Sequence, residues 1–141
     1  MHGKKTRIVL DTNVLYAGLY SSKGASFSVL QAIEEGKFKM IISTTLLFEY
    51  EDILKRNQAV LDLSSHEIEK ILDYFCMQSK HQKIYFLWRP RLPDPKDDHF
   101  LELAIASGTK IIVTHNTKDF KGAETFGIKP ITPKELMEEI S

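Results

Sequence analysis

The chain has 141 residues, enough for one domain spanning 1–141 to bury a real core. Its 19 Lys and Arg offset 19 Asp and Glu, so no whole-protein field marks a polyanionic partner, although a local basic patch stays open. The lone Cys76 excludes an internal disulfide, no stretch approaches the roughly 20 apolar residues of a membrane span, and no signal-peptide core follows Met1-His2-Gly3-Lys4-Lys5, so a soluble cytoplasmic protein is expected.

In chain order, strands alternate with helices. Ile8-Val9-Leu10, consecutive and unalternated, reads as a strand buried on both faces, with Asp11 at its carboxyl end. That edge is where open α/β sheets bind ligands. Asp11 also has a plainer reading as the cap of a helix beginning near Val14, since Asp, Thr and Asn all favour helix starts. Ser21-Ser22-Lys23-Gly24 breaks the pattern, and Phe27, Leu30 and Ile33 mark a second helix that stops at Gly36. Lys39-Met40-Ile41-Ile42 reads as another buried strand. Ser43 or Thr44 then caps a helix whose apolar face carries Leu46, Leu47, Tyr50, Ile53 and Leu54. Glu49 falls on or beside that face, and a carboxylate there needs a metal or cation as partner.

Ser64 and Glu67 form a capping box for the next helix, which carries Ile68, Ile71, Leu72, Phe75 and Cys76. Residues 83–88 read as a third strand, and the proline-punctuated 89–95 as a loop. Asp97 and Asp98 open a helix with Leu101, Ala104 and Ile105 inside, ending near Gly108. Lys110-Ile111-Ile112-Val113-Thr114 is a fourth buried strand that empties into His115-Asn116-Thr117-Lys118-Asp119-Phe120. A short strand over 128–131 precedes a helix with Thr132 as cap, Pro133 in its first turn and Glu135 closing a second capping box. This order predicts a three-layer α/β/α sandwich around a mostly parallel sheet.

The strand-end polar residues can now be combined. Asp11, Glu49, Asp97, Asp98, Asn116 and Asp119 are oxygen-bearing groups that the sheet can gather into one crevice. Carboxylates packed there raise one another's pKa unless a cation neutralises them. Such hard ligands suit Mg²⁺ or Mn²⁺, and the absence of a Cys/His cluster argues against zinc. A site of this kind cleaves phosphodiesters, and no glycine-rich phosphate loop competes with that reading.

Val9-Leu10-Asp11-Thr12-Asn13-Val14-Leu15, Glu49 within Leu46-Leu47-Phe48-Glu49-Tyr50, Asp94-Pro95-Lys96-Asp97-Asp98 with Leu101-Glu102-Leu103-Ala104, and residues 112–120 together resemble the PIN-domain family, most of all its toxin-like branch in toxin–antitoxin systems. Each motif is weak alone; the ordered four span nearly the whole chain. The resemblance implies a metal-dependent endoribonuclease that prefers single-stranded RNA, with Asp11, Glu49 and Asp97 binding one or two Mg²⁺ or Mn²⁺ ions. It further implies that Thr12 or Asn13 orients Asp11, that Thr114 lines the site, and that a small antitoxin restrains the protein. Water activated by the ion would attack phosphorus while one carboxylate helps to take a proton. Asp97 fits the motif register, with Asp98 assisting. One position departs: many members carry an acid where this chain has Asn116, which offers a carbonyl without charge. Either Asp119 supplies the missing carboxylate or a second ion binds weakly and only with RNA present.

Other residues have plain readings beside their sharper ones. Arg56, Arg89, Arg91, Lys118 and Lys121 are a rim for an RNA backbone or ordinary surface charge. Tyr85 and Trp88 are base-stacking groups or core. His115 is a phosphate contact or a structural residue, His81 and His99 have no metal spacing, and Glu102 is an exposed group or a support for the acids. Apolar positions on the helices between Leu46 and Cys76 are core or a homodimer face. The alternative function is a catalytically weak module that binds RNA or protein.

Overall fold

The computed structural model describes residues 5–84 and 92–140. Among them, five short strands form one parallel sheet. β1 (Thr6–Leu10) lies at its centre because Ile8, Val9 and Leu10 are apolar on both pleat faces and all are fully buried. β1 leads into α1 (Thr12–Tyr20) and α2 (Ala25–Glu34), then into β2 (Phe38–Ile42), which pairs with β1 with Ile8 opposite Met40. Gly18 lets α1 and α2 approach closely: a Cβ there would sit 3.0 Å from the Ser26 carbonyl oxygen.

Ser43, rather than Thr44, caps α3 (Thr44–Arg56), because its side chain accepts the Leu46 N–H. The short α4 (Gln58–Leu61) and α5 (Ser65–Gln78) follow, and the Ser64–Glu67 box forms as expected. The next strand differs from expectation. β3 is Lys80–His81, paired with Ile41 and Ile42, because the chain leaves α5 already extended at Ser79 and meets the free edge of β2 at once. Lys83 and Ile84 carry no strand, and the rest of the expected strand, with Tyr85, Trp88, Arg89 and Arg91, lies outside the described residues.

A 3₁₀ turn at Pro95–Asp97 feeds α6 (Asp98–Ser107), on which Glu102 is buried rather than exposed. β4 (Ile111–Val113) then inserts on the far side of β1, with Leu10 opposite Val113. β5 (Lys129–Ile131) forms the other edge and α7 (Pro133–Ile140) closes the described chain, entered through the Thr132–Glu135 box.

The strand order is β3-β2-β1-β4-β5, so the sheet grows from β1 in both directions. Right-handed crossovers then send helices to opposite faces, which produces the three-layer α/β/α sandwich. α2 packs on α1 and α7, while α6 crosses β2, β1 and β4. Between the carboxyl ends of β1 and β4 the order reverses. Such a switch point opens a crevice.

Candidate active site

Asp11 is the first residue past β1 and stands in that crevice. Its backbone N–H donates to Val113 at 2.9 Å, so the β1–β4 ladder fixes its position. Its side chain caps α1, accepting the Asn13 N–H at 3.4 Å, and it also accepts the Thr114 hydroxyl at 2.7 Å. The capping and site readings of Asp11 therefore coexist. Burial pushes the Asp11 carboxyl up and the Glu49 charge adds to this, while the Thr114, Asn13 and Thr12 hydrogen bonds pull it back. Thr114 is fully buried, and its oxygen accepts the Asn116 N–H at 3.0 Å.

Glu49 reaches the crevice from α3, half-buried beside the apolar face. Thr12 turns its hydroxyl to Glu49 Oε1 rather than to Asp11, and His99 Nε2 lies 2.9 Å from Glu49 Oε2. Burial opposes ionisation of Glu49, but the His99 and Thr12 hydrogen bonds outweigh it and hold the carboxyl below its ordinary range. The next residue, Tyr50, is fully buried and donates to the Leu10 carbonyl at 2.6 Å, which fixes α3 against β1.

Asp97 caps α6 without a side-chain hydrogen bond of its own to the helix. Burial, then the charges of Asp11, Asp94, Asp119 and Glu49, push its carboxyl up to about 6. Two consequences follow. These acids share one field, and Asp119, on the 3₁₀ turn Thr117–Phe120, belongs with them. Asp98 points elsewhere: its Oδ1 accepts the Leu92 N–H at 3.0 Å and ties down the preceding loop. Asn116 is exposed. His115 is tied inward, its Nε2 2.8 Å from the buried Ser26 hydroxyl, and its N–H lies 3.5 Å from Asn13 Oδ1.

His99 is the site residue that spacing did not reveal. The available signal was its place two positions after Asp97 on an acid-opened helix, but its partner lies 50 residues away. Among the described residues no three Asp, Glu, His or Cys side chains are already closed around one point. The donor chemistry nonetheless fits a hard divalent cation. Asp11, Glu49, Asp97 and Asp119 supply carboxylate oxygens, and the raised Asp97 carboxyl reports a negative field that a cation would relieve.

An apolar groove of about 340 Å³ among Leu19, Phe27, Leu30, Ile71, Tyr74 and Phe75 contains none of these acids. No described helix is long and apolar enough to cross a membrane.

Comparison with known proteins identifies the fold and the family. No curated protein sequence matches the chain. The crystal structure of VapBC2 from Rickettsia felis bound to a DNA fragment from their promoter is similar in fold, with a TM-score of 0.59 at 16% identity, over 89% of this chain and 98% of that one. The family model for the PIN domain matches residues 7–118, which run from β1 through β4 into the turn that carries Asp119. The chain belongs to the PIN-domain family, whose members are generally metal-dependent nucleases.

Proposed function

We propose that the protein is a metal-dependent endoribonuclease acting on single-stranded RNA, the toxin of a toxin–antitoxin pair. The observation that carries this reading is the shared field of Asp11, Glu49, Asp97 and Asp119 at the sheet's switch point, with Asp97 pushed up to about 6. Asp11, Glu49 and Asp97 would hold Mg²⁺ or Mn²⁺, with Asp119 supplying the charge that Asn116 lacks. When bound, such an ion lowers the pKa of water and stabilises charge on phosphate oxygens.

The chain's own groups orient the carboxylates. Thr114 aims Asp11, and Thr12 fixes one oxygen of Glu49. A neighbouring carboxylate accepts the proton that the attacking water gives up. Lys118 and Lys121, exposed on the segment that carries Asp119, are cations for the RNA backbone. Exposed Phe48 on α3 and Met77 on α5 support a homodimer face, and the likeness in fold to VapBC2 supports a small antitoxin partner.

Asn116 favours a second reading, a weakly catalytic RNA- or protein-binding module. Cleavage of a mixed single-stranded RNA with Mg²⁺ or Mn²⁺, beside an EDTA control and Asp11→Asn, separates the two. The nuclease requires cation and loses cutting in the variant; a binder holds RNA through both changes.

A further inference from the structure

Glu49 is gripped on both oxygens by groups from two other elements. Thr12, at the start of α1, donates to Oε1, and His99, on the first turn of α6, meets Oε2 at 2.9 Å. The His99 side chain is 15% exposed, and its Nδ1 is buried with no hydrogen-bond partner among the described residues. A carboxylate oxygen only accepts, so the hydrogen lies on Nε2 and His99 donates it to Glu49.

A carboxylate has about four lone-pair sites, and two donors leave about half of them open. The grip therefore directs the acid without consuming it. It also joins at one carboxylate α3, which carries Glu49, with α1 and α6, the helices that Asp11 and Asp97 cap.

We infer that His99 is a positioning residue of the acidic site: as an Nε2–H donor it holds Glu49 with its free lone pairs toward a divalent cation shared with Asp11 and Asp97. This rests on the metal-site reading above. Groups that orient a ligand in this way typically change metal affinity by about 10–100-fold when removed.

The test compares His99→Gln, whose amide nitrogen reaches about as far as Nε2, with His99→Asn, whose amide stops near the position of Nδ1. Mn²⁺ binding is measured by calorimetry for both, for the wild type and for Asp11→Asn, with circular dichroism to check the fold. The Asn variant is expected to bind Mn²⁺ at least about 10-fold more weakly than wild type, and the Gln variant within about 3-fold of it. In the metal-free protein, ¹⁵N NMR of the ring should show a proton on Nε2, and the Glu49 carboxyl should titrate higher in the Asn variant than in wild type. Equal Mn²⁺ affinity in the Gln and Asn variants, or an Nδ1–H tautomer, overturns the role of His99 while leaving the acidic site standing. A folded wild type that binds no Mn²⁺, or binds it as well after Asp11→Asn, overturns the metal-site reading and this inference with it.

Discussion

The hydroxyl of Tyr50 donates to the carbonyl of Leu10 at 2.6 Å, linking the neighbour of one acid to the neighbour of another. Glu49 precedes Tyr50 and Asp11 follows Leu10, so this buried bond sets the distance between two carboxylates without touching either. Tyr50→Phe keeps the ring and removes the donor. It should cost about 1 kcal/mol, seen as a melting temperature lower by roughly 3 °C. RNA cleavage should fall several-fold through kcat rather than KM, and an unchanged kcat would sever the bond from the site's geometry.

Asp97 works against folding at neutral pH. Its folded carboxyl sits at about 6, above the ordinary value of 3.8, so the folded state holds the proton more tightly than the unfolded chain does. That contribution is present below about pH 4 and is lost as pH rises to about 6. Asp97→Asn should therefore raise stability in EDTA at pH 8 by about 1 kcal/mol, after discounting for the group's partial exposure, and have little such benefit at pH 4. The same variant should lose cleavage. Melts at the two pH values check the sign.

Thr114→Val removes the 2.7 Å hydroxyl bond to Asp11 Oδ2 and the acceptor of the Asn116 N–H. Leaving a buried carboxylate short of a donor costs about 1–3 kcal/mol. The Asp11 carboxyl should titrate higher still, and cleavage should fall at least about 10-fold, by comparison with other groups that orient a metal ligand. Carboxyl ¹³C NMR of Asp11 with a denaturant melt reads both effects.

Asn116→Asp tests whether the missing acid limits the site. Another carboxylate on the turn that carries Asp119 should lower the metal-free melting temperature at pH 8 and enlarge the rise produced by Mn²⁺. An unchanged response to Mn²⁺ would show that position 116 stands outside the cation's reach.

What could be read from the chain was what is local or periodic. The run Ile8-Val9-Leu10 carries its own burial pattern, and the Ser64–Glu67 and Thr132–Glu135 boxes close over three residues, so both were predictable before any packing was known. Thr114 was named for the site and does bond Asp11. The strand at Lys80–His81 is not legible in the chain, because both are polar residues of low strand propensity recruited by the open edge of β2. The Glu49–His99 contact spans 50 residues and depends on how α3 and α6 meet, which no spacing within either helix encodes. The Asp98 carboxylate was out of reach for the same reason, since its direction depends on a loop backbone at Leu92.

The pairing of Leu10 with Val113, and the bond from Thr114 to Asp11 across 103 residues, also set when the site can come into being. During synthesis the first acid leaves the ribosome 103 residues ahead of the hydroxyl that holds it. A nascent chain stopped before β4 has Asp11 at a frayed sheet edge, without Thr114 or Asp119. Closure of this long loop also places the site among the later, slower contacts of folding. The crevice is thus assembled only once α6 and β4 have been made.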